Sequence, residues 1–140
     1  MLIRFAQKED AQALFNMNHD FNGDTGVSEA HILSCLESGR EIVVVAEENK
    51  TAVGFLCAFV HFSFCYPCPV CEIAEMYVSP PFRRKGAAKG MLHFLSEHIK
   101  TVYGADECHL LTGRTNLKAQ ALYKACGFTE EDEMYMHKDL

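Results

Sequence analysis

The sequence predicts an α/β fold, and three observations carry that expectation. Short β-branched or alternating runs are interleaved with amphipathic helical stretches along the whole chain. No internal repeat, low-complexity tract or linker interrupts them. The 140 residues, 49% of them hydrophobic, are enough to bury one sizeable core. A single domain over residues 1–140 is therefore expected.

Each element has its own reason. Leu2-Ile-Arg-Phe5 alternates as a short first strand. Lys8-Glu-Asp10 opens a helix to about Asp20, with Ala11, Leu14, Phe15 and Asn18 on one face. Asn22 to Gly26 is a loop by composition. Ser28 caps a second helix whose apolar stripe is Ile32, Leu33 and Leu36, and Gly39 ends it. Glu41 to Ala46 is short, β-branched and continuous, as in a strand buried on both faces. Glu48-Asn-Lys50 supplies a hairpin turn into a strand from Ala52 to about Phe64, in which Gly54 is expected to mark a bulge. Cys65 to Val70, with Pro67 and Pro69, reads as a loop, and Glu72 to Val78 as the next strand. Met91, Leu92, Leu95, Ile99 and Val102 recur at helical spacing, so a helix should run from about Gly86 to Tyr103 and stop at Gly104. Cys108 to Thr112 is a strand, Thr115 or Asn116 caps a helix through Cys126, and Phe128 to Lys138 should make a final strand or strand pair.

Composition narrows the function classes. The net charge of −6 argues against general nucleic-acid binding, which needs a basic excess. No apolar run approaches the ~18 residues that cross a bilayer, and Met1-Leu-Ile-Arg-Phe lacks the features of a secretion signal, so neither a membrane nor export is expected and the cytoplasm is the default. Seven cysteines cannot all pair within one chain, and most read as reduced, small hydrophobic residues.

Against this acidic background, Arg83-Arg-Lys85 stands out. It opens a basic glycine loop, Arg83 to Ala88, that follows the strand ending at Val78 and a break at Ser79-Pro80-Pro81, and leads into a helix. A loop of that kind aims several backbone N–H groups at one spot, suited to a pyrophosphate. A second segment follows: Asn116-x-x-Ala119-x-x-Leu122-Tyr123-x-x-Cys126-Gly127-Phe128, in which positions 116, 119 and 123 share a helical face.

With Arg83-x-x-Gly86-x-Ala88, this segment and the order of elements resemble the GNAT superfamily of acyl-CoA-dependent N-acetyltransferases. The resemblance implies a mixed central sheet of six to seven strands, splayed between the fourth and fifth, with about four helices and with acetyl-CoA in the opening. Backbone groups of Met76 to Val78, through Tyr77, would meet the pantetheine arm as an added strand. The N–H groups of the basic loop (Arg83, Arg84, Lys85, Gly86, Ala87, Ala88) would hold the pyrophosphate, and Asn116 and Ala119 would complete the cofactor site. No metal is implied.

The same resemblance places the chemistry. Only about one alkyl amine in a thousand is neutral at pH 7, so a base is useful. Glu72 stands where several members carry a catalytic glutamate, with Glu75 as the second choice; in a regular strand the two face opposite sides unless a bulge intervenes. Tyr123 stands at the general-acid position, able to protonate a leaving thiolate. The thioester oxygen is expected at the N–H of Met76 or Val78. Asp20 and Asp24, near the first-helix connection, could meet an acceptor ammonium.

Cys65-x-x-Cys68-x-x-Cys71, with His61 as a fourth ligand, has the spacing of a metal loop, but no second Cys-x-x-Cys pair supports it and an ordinary or redox-labile loop competes. The other six histidines show no pairing by spacing. The reading that follows is an acetyl-CoA-dependent N-acetyltransferase acting by direct transfer on the primary amine of a small molecule, loosely similar to aminoglycoside 6′-N-acetyltransferases. Alternatives are a protein N-terminal or lysine acetyltransferase and, from another class, a non-catalytic acyl-CoA sensor. A homodimer is common among such enzymes.

Overall fold

A computed structural model describes all 140 residues. Its frame is a five-stranded sheet in the order β1-β2-β3-β4-β5, from β1 (Leu2–Phe5), β2 (Ile42–Glu48), β3 (Thr51–His61), β4 (Val70–Val78) and β5 (Glu107–Leu110). The first four strands are antiparallel neighbours, and β5 joins β4 in parallel, so the sheet is mixed. Four helices flank it: α1 (Ala11–Asn22), α2 (Glu29–Ser38), α3 (Ala87–His98) and α4 (Leu117–Ala125).

The local signals explain most of this. Ser28 accepts the His31 N–H at 3.1 Å to start α2, and Gly39 ends it at φ 62°. Asn49 and Lys50 both take positive φ, which makes the tight turn that matches strand twist between β2 and β3. Burial then fixes the two layers. Met91, Leu92 and Leu95 of α3 pack on Val44, Leu56 and Ile73, while Leu14 and Met17 of α1 pack on Val45, Phe55 and Tyr77 from the other side. Gly90 brings α3 onto β1, since a Cβ there would stand 3.0 Å from Ile3. At the β1–α1 corner Arg4 bridges Asp10 and Glu47 at 2.7 Å each. Burial alone would raise the Asp10 carboxyl, but the Arg4 guanidinium and the Gln7 N–H hold it below the usual carboxylate range.

Three expectations change. The sheet has five strands rather than six or seven, because residues 129–140 form no strand. That segment carries four successive carboxylates, Glu130 to Glu133, and pairs with no strand; His137 instead hydrogen-bonds Asp139 at 2.8 Å. The α3 helix is regular only to His98, and Ile99–Tyr103 continues as a wider π turn closed by Gly104. Gly54 pairs regularly with Ala46 and Val78; the extra residue lies beside it at Val53, and a Cβ on Gly54 would meet Tyr77 O at 3.0 Å. No helix is long and apolar enough to cross a membrane.

Candidate active site

The sheet opens along one line. From Val70 to Ile73, β4 is paired with β5, but β5 ends at Leu110 and the chain turns away, so from Ala74 to Val78 the strand keeps only β3 as neighbour. Ser79 N–H donates to Val53 O on β3 at 2.9 Å. By strand alternation the backbone of Tyr77 faces β3 as well, and the backbone groups of Met76 and Val78 face the opening.

At the head of the opening lies the basic glycine loop. Arg84 (φ 62°) and Gly86 (φ 88°) both adopt left-handed backbone, which Gly86 takes at no steric cost, and the N–H groups of Arg84, Lys85 and Gly86 have no partner in the chain. The first N–H groups of α3, from Ala87 and Ala88, continue the row. Together they form a concave set of donors with the positive end of a helix behind it. Ala87 is buried against the core, so the small residue there serves packing as well. Arg83 is turned away from this set: its Nε donates to Val78 O at 2.7 Å and its guanidinium lies 5.5 Å from the Tyr77 ring, which ties the loop to the end of β4. Lys85 lies 5.2 Å over the Phe82 ring.

The far wall comes from α4. Asn116 caps it, its Oδ1 accepting the Ala119 N–H at 3.3 Å, so the side chain first of all fixes the helix start. Tyr123, half-buried, stands edge-on to Phe128 at 5.8 Å, and Phe128 N–H donates to Tyr123 O at 3.0 Å. Sequence reasoning missed Gln120, whose Nε2 donates to Gly113 O (2.9 Å) and Arg114 O (3.0 Å) and holds the β5–α4 connection in place. A glutamine on a polar helix face gives no signal for this.

The floor is settled by one residue. Cys57 of β3 pairs with Glu75 and the next residue, Ala58, with Ile73, so Ala74 is an extra residue in β4. Glu72 and Glu75, which simple alternation sends to opposite faces, therefore share the face that bears Phe55 and Tyr77. Partial desolvation pushes the Glu75 carboxyl above the usual carboxylate range, although the residue as a whole is exposed. The Tyr123 hydroxyl is also raised, by burial first and then by the charge of Glu75, which brings those two groups into electrostatic contact. Glu72 is engaged differently: its Oε2 meets His61 Nε2 at 2.8 Å, and His109 is its in-register neighbour on β5. Asp24, by contrast, accepts the Gly26 N–H at 3.0 Å and stabilises its own loop.

The cysteine loop does not converge. Cys71 turns into the core beside Cys108, on the face opposite to His61, and no group of three or more His, Cys, Asp or Glu side chains is placed to hold a metal ion.

A sheet parted beside a row of unpaired N–H groups, with a tyrosine and a carboxylate at the parting, is the architecture of an acyl-CoA-dependent acyltransferase. The chain belongs to the acetyltransferase (GNAT) family, whose family model matches residues 8–128. It is 32% identical to YhfO, an uncharacterized N-acetyltransferase of Bacillus subtilis (strain 168), over 98% of this chain and 95% of that protein. Its fold matches the aminoglycoside N-acetyltransferase AAC(6′)-Iy in complex with CoA (TM-score 0.81, 21% identity, 99% of both chains). It also matches a ribosomal-protein-alanine N-acetyltransferase of Brucella melitensis biovar Abortus 2308 (TM-score 0.84, 15% identity, 99% of this chain and all of the other). The protein is thus an acetyl-CoA-dependent N-acetyltransferase.

Proposed function

We propose that the acceptor is the primary amine of a small, cationic molecule, acetylated by direct transfer while both substrates are bound. The observation that carries this reading is the bulge at Ala74, which puts Glu72 and Glu75 on one face of the sheet, Glu75 at the opening and Glu72 just before it. Three exposed aromatic residues of the β3–β4 loop, Phe62, Phe64 and Tyr66, belong to the same end of the sheet and suit a cation as well as an apolar body.

Acetyl-CoA supplies an activated acetyl thioester; the residues bind, orient and move protons. The donors from Arg84 to Ala88 fit a pyrophosphate, and the free backbone of Met76 and Val78 fits an extended amide-bearing arm. Because Arg83 already occupies Val78 O, the groups left for that arm and for the thioester oxygen are the N–H groups of Met76 and Val78 and the carbonyl of Met76. Glu75 is the better placed base: a carboxyl of raised pKa is a more effective proton acceptor near neutral pH, and it stands beside Tyr123. The Tyr123 phenol stays protonated and can give its proton to the departing sulfur, whose conjugate acid has a pKa near ~8.5. Glu75 then returns a proton to Tyr123, so the pair is reset.

Thiol release from acetyl-CoA, measured with 1,4-diaminobutane, an aminoglycoside and a peptide bearing a free N-terminus and a lysine, tests the reading. Turnover of a small amine supports it. Turnover of the peptide alone would move the assignment to protein amines, and acetyl-CoA binding without turnover of any small amine would overturn it.

A further inference from the structure

The proton balance of amine acetylation asks for more than Glu75 and Tyr123. Between ammonium and amide the acceptor nitrogen gives up two protons, the N–C bond forms, the C–S bond breaks, and the sulfur takes up one proton. The Glu75–Tyr123 pair can pass one proton from nitrogen to sulfur and return to its starting state. The other proton, the one that makes the ammonium a nucleophile, has to reach solvent.

The structure holds a second pair at the solvent end of the same face. His61, the last residue of β3, hydrogen-bonds Glu72 at 2.8 Å, with the two side chains 54% and 41% exposed. The ring is inclined 29° to that of Phe59, the cross-strand partner of Glu72, with centroids 6.4 Å apart. With Nε2–H donated to the carboxylate, Nδ1 is left as a free lone pair, and the carboxylate fixes the tautomer as it does in other carboxylate–histidine pairs. That lone pair can take a proton from an ammonium through water and hand it on to bulk solvent, while the Glu72 carboxylate stabilises the imidazolium in between. The titratable and charged groups facing this side are Glu75 and Tyr77 from β4, with Arg83 over Tyr77, His109 from β5, Cys57 from β3, Glu41 from the segment before β2, and Cys35 from α2.

We infer that His61 is a proton-relay residue: held by Glu72 through Nε2–H, it takes the acceptor's ammonium proton at Nδ1 through water and gives it up to solvent, while Glu75 and Tyr123 handle the second proton. This rests on the small-amine reading above, and assigns the two carboxylates of β4 separate tasks.

The test uses the whole chain with acetyl-CoA and 1,4-diaminobutane. His61→Ala and His61→Gln are expected to lose about tenfold in kcat/KM at pH 7, less than the usual ~10²–10⁴-fold of a general acid or base because solvent water can take over part of the relay. That deficit should close to less than about twofold by pH 10, where about half of the amine arrives neutral and needs no relay. Added imidazole should restore His61→Ala, and acetyl-CoA affinity should stay unchanged. Gln keeps a hydrogen-bond donor for Glu72, so a Gln variant as active as the native enzyme would show a merely structural contact and overturn the inference, as would a deficit that does not vary with pH. Independently of turnover, the His61 ring C2–H resonance and its response to pH should change in Glu72→Gln and not in Glu97→Gln. If no small amine is turned over, the small-amine reading fails on its own, and a His61 resonance indifferent to Glu72→Gln still overturns the relay.

Discussion

Val70 to Ile73 is paired with strands on both edges, β3 and β5, whereas Glu75 to Val78 is paired with β3 alone. The first half of β4 buries Cys71 and Ile73 in the α3-side core; the second keeps backbone groups free and lines the opening. Ala74, the extra residue, sits at the boundary. It does two things at once, since it changes which face the following side chains take and it marks where the parallel pairing stops. One strand thus serves as a structural member and as a ligand-binding edge, and the price of the second role is a row of backbone groups left without protein partners. Pairing with an extended ligand would satisfy them.

If the two halves divide in this way, substitutions should divide too. The largest effect is expected in the closed half, where Ile73→Ala removes buried apolar volume. It should lower the unfolding free energy by about 3 kcal/mol, the middle of the range for such truncations, as measured by urea denaturation. In the open half Tyr123→Phe, across the gap from β4, should cost about 10²-fold in kcat, about 2.7 kcal/mol of barrier, with little change in stability or in acetyl-CoA affinity by calorimetry. An inactive but fully stable Ile73→Ala protein, or an unchanged kcat in Tyr123→Phe, would break the division.

A smaller effect belongs to the loop that closes the open half. Nothing lies within 4 Å of a Cβ built on Gly86, so Gly86→Ala meets no clash, only the cost of holding φ at +88°. That cost is about 1–2 kcal/mol. Thermal unfolding should show it in the free protein. Acetyl-CoA should then protect the variant less than the native chain, because the relaxed loop no longer presents its N–H groups together. Equal protection of the two proteins would mean that the Arg84 to Ala88 donors are not where the ligand is held.

What the sequence could show follows from the range of each signal. Helix caps at Ser28 and Asn116, the stop at Gly39 and the Asn49-Lys50 turn are local, and each was legible within a few residues. The glycine loop was legible because a strand, a break and a helix start occur in one contiguous stretch. The side of the sheet that Glu75 takes was not, because the bulge exists only in relation to β3 and depends on which β3 residue Cys57 or Ala58 faces. For the same reason His109 looks scattered in the sequence and His61 reads as a ligand for the cysteine loop, although register brings both to Glu72 from neighbouring strands. Arg83 shows the limit of reading charge as function: its place in the motif is as expected, yet its side chain braces Val78 and Tyr77. The final strand expected over Phe128 to Lys138 failed on a like ground, since alternation can propose a strand but a strand forms only with a partner.

The smallest expected effect is also the one of opposite sign. Partial desolvation raises the Glu75 pKa in the folded chain above its unfolded value of about 4.3, so the fold favours the protonated form. By linkage, that preference contributes stability below the unfolded pKa and loses it as pH rises through the folded value, which means the ionised side chain is a burden at pH 7. Gln imitates the protonated carboxyl at every pH. Glu75→Gln should therefore abolish most activity yet unfold at slightly higher urea concentration than the native chain at pH 7, with the advantage vanishing below about pH 4. Ile73→Ala, two positions before it, should be less stable at both pH values. A Glu75→Gln protein less stable than native at pH 7 would show that Glu75 holds the fold together, and the open half of β4 would lose its distinction from the closed one.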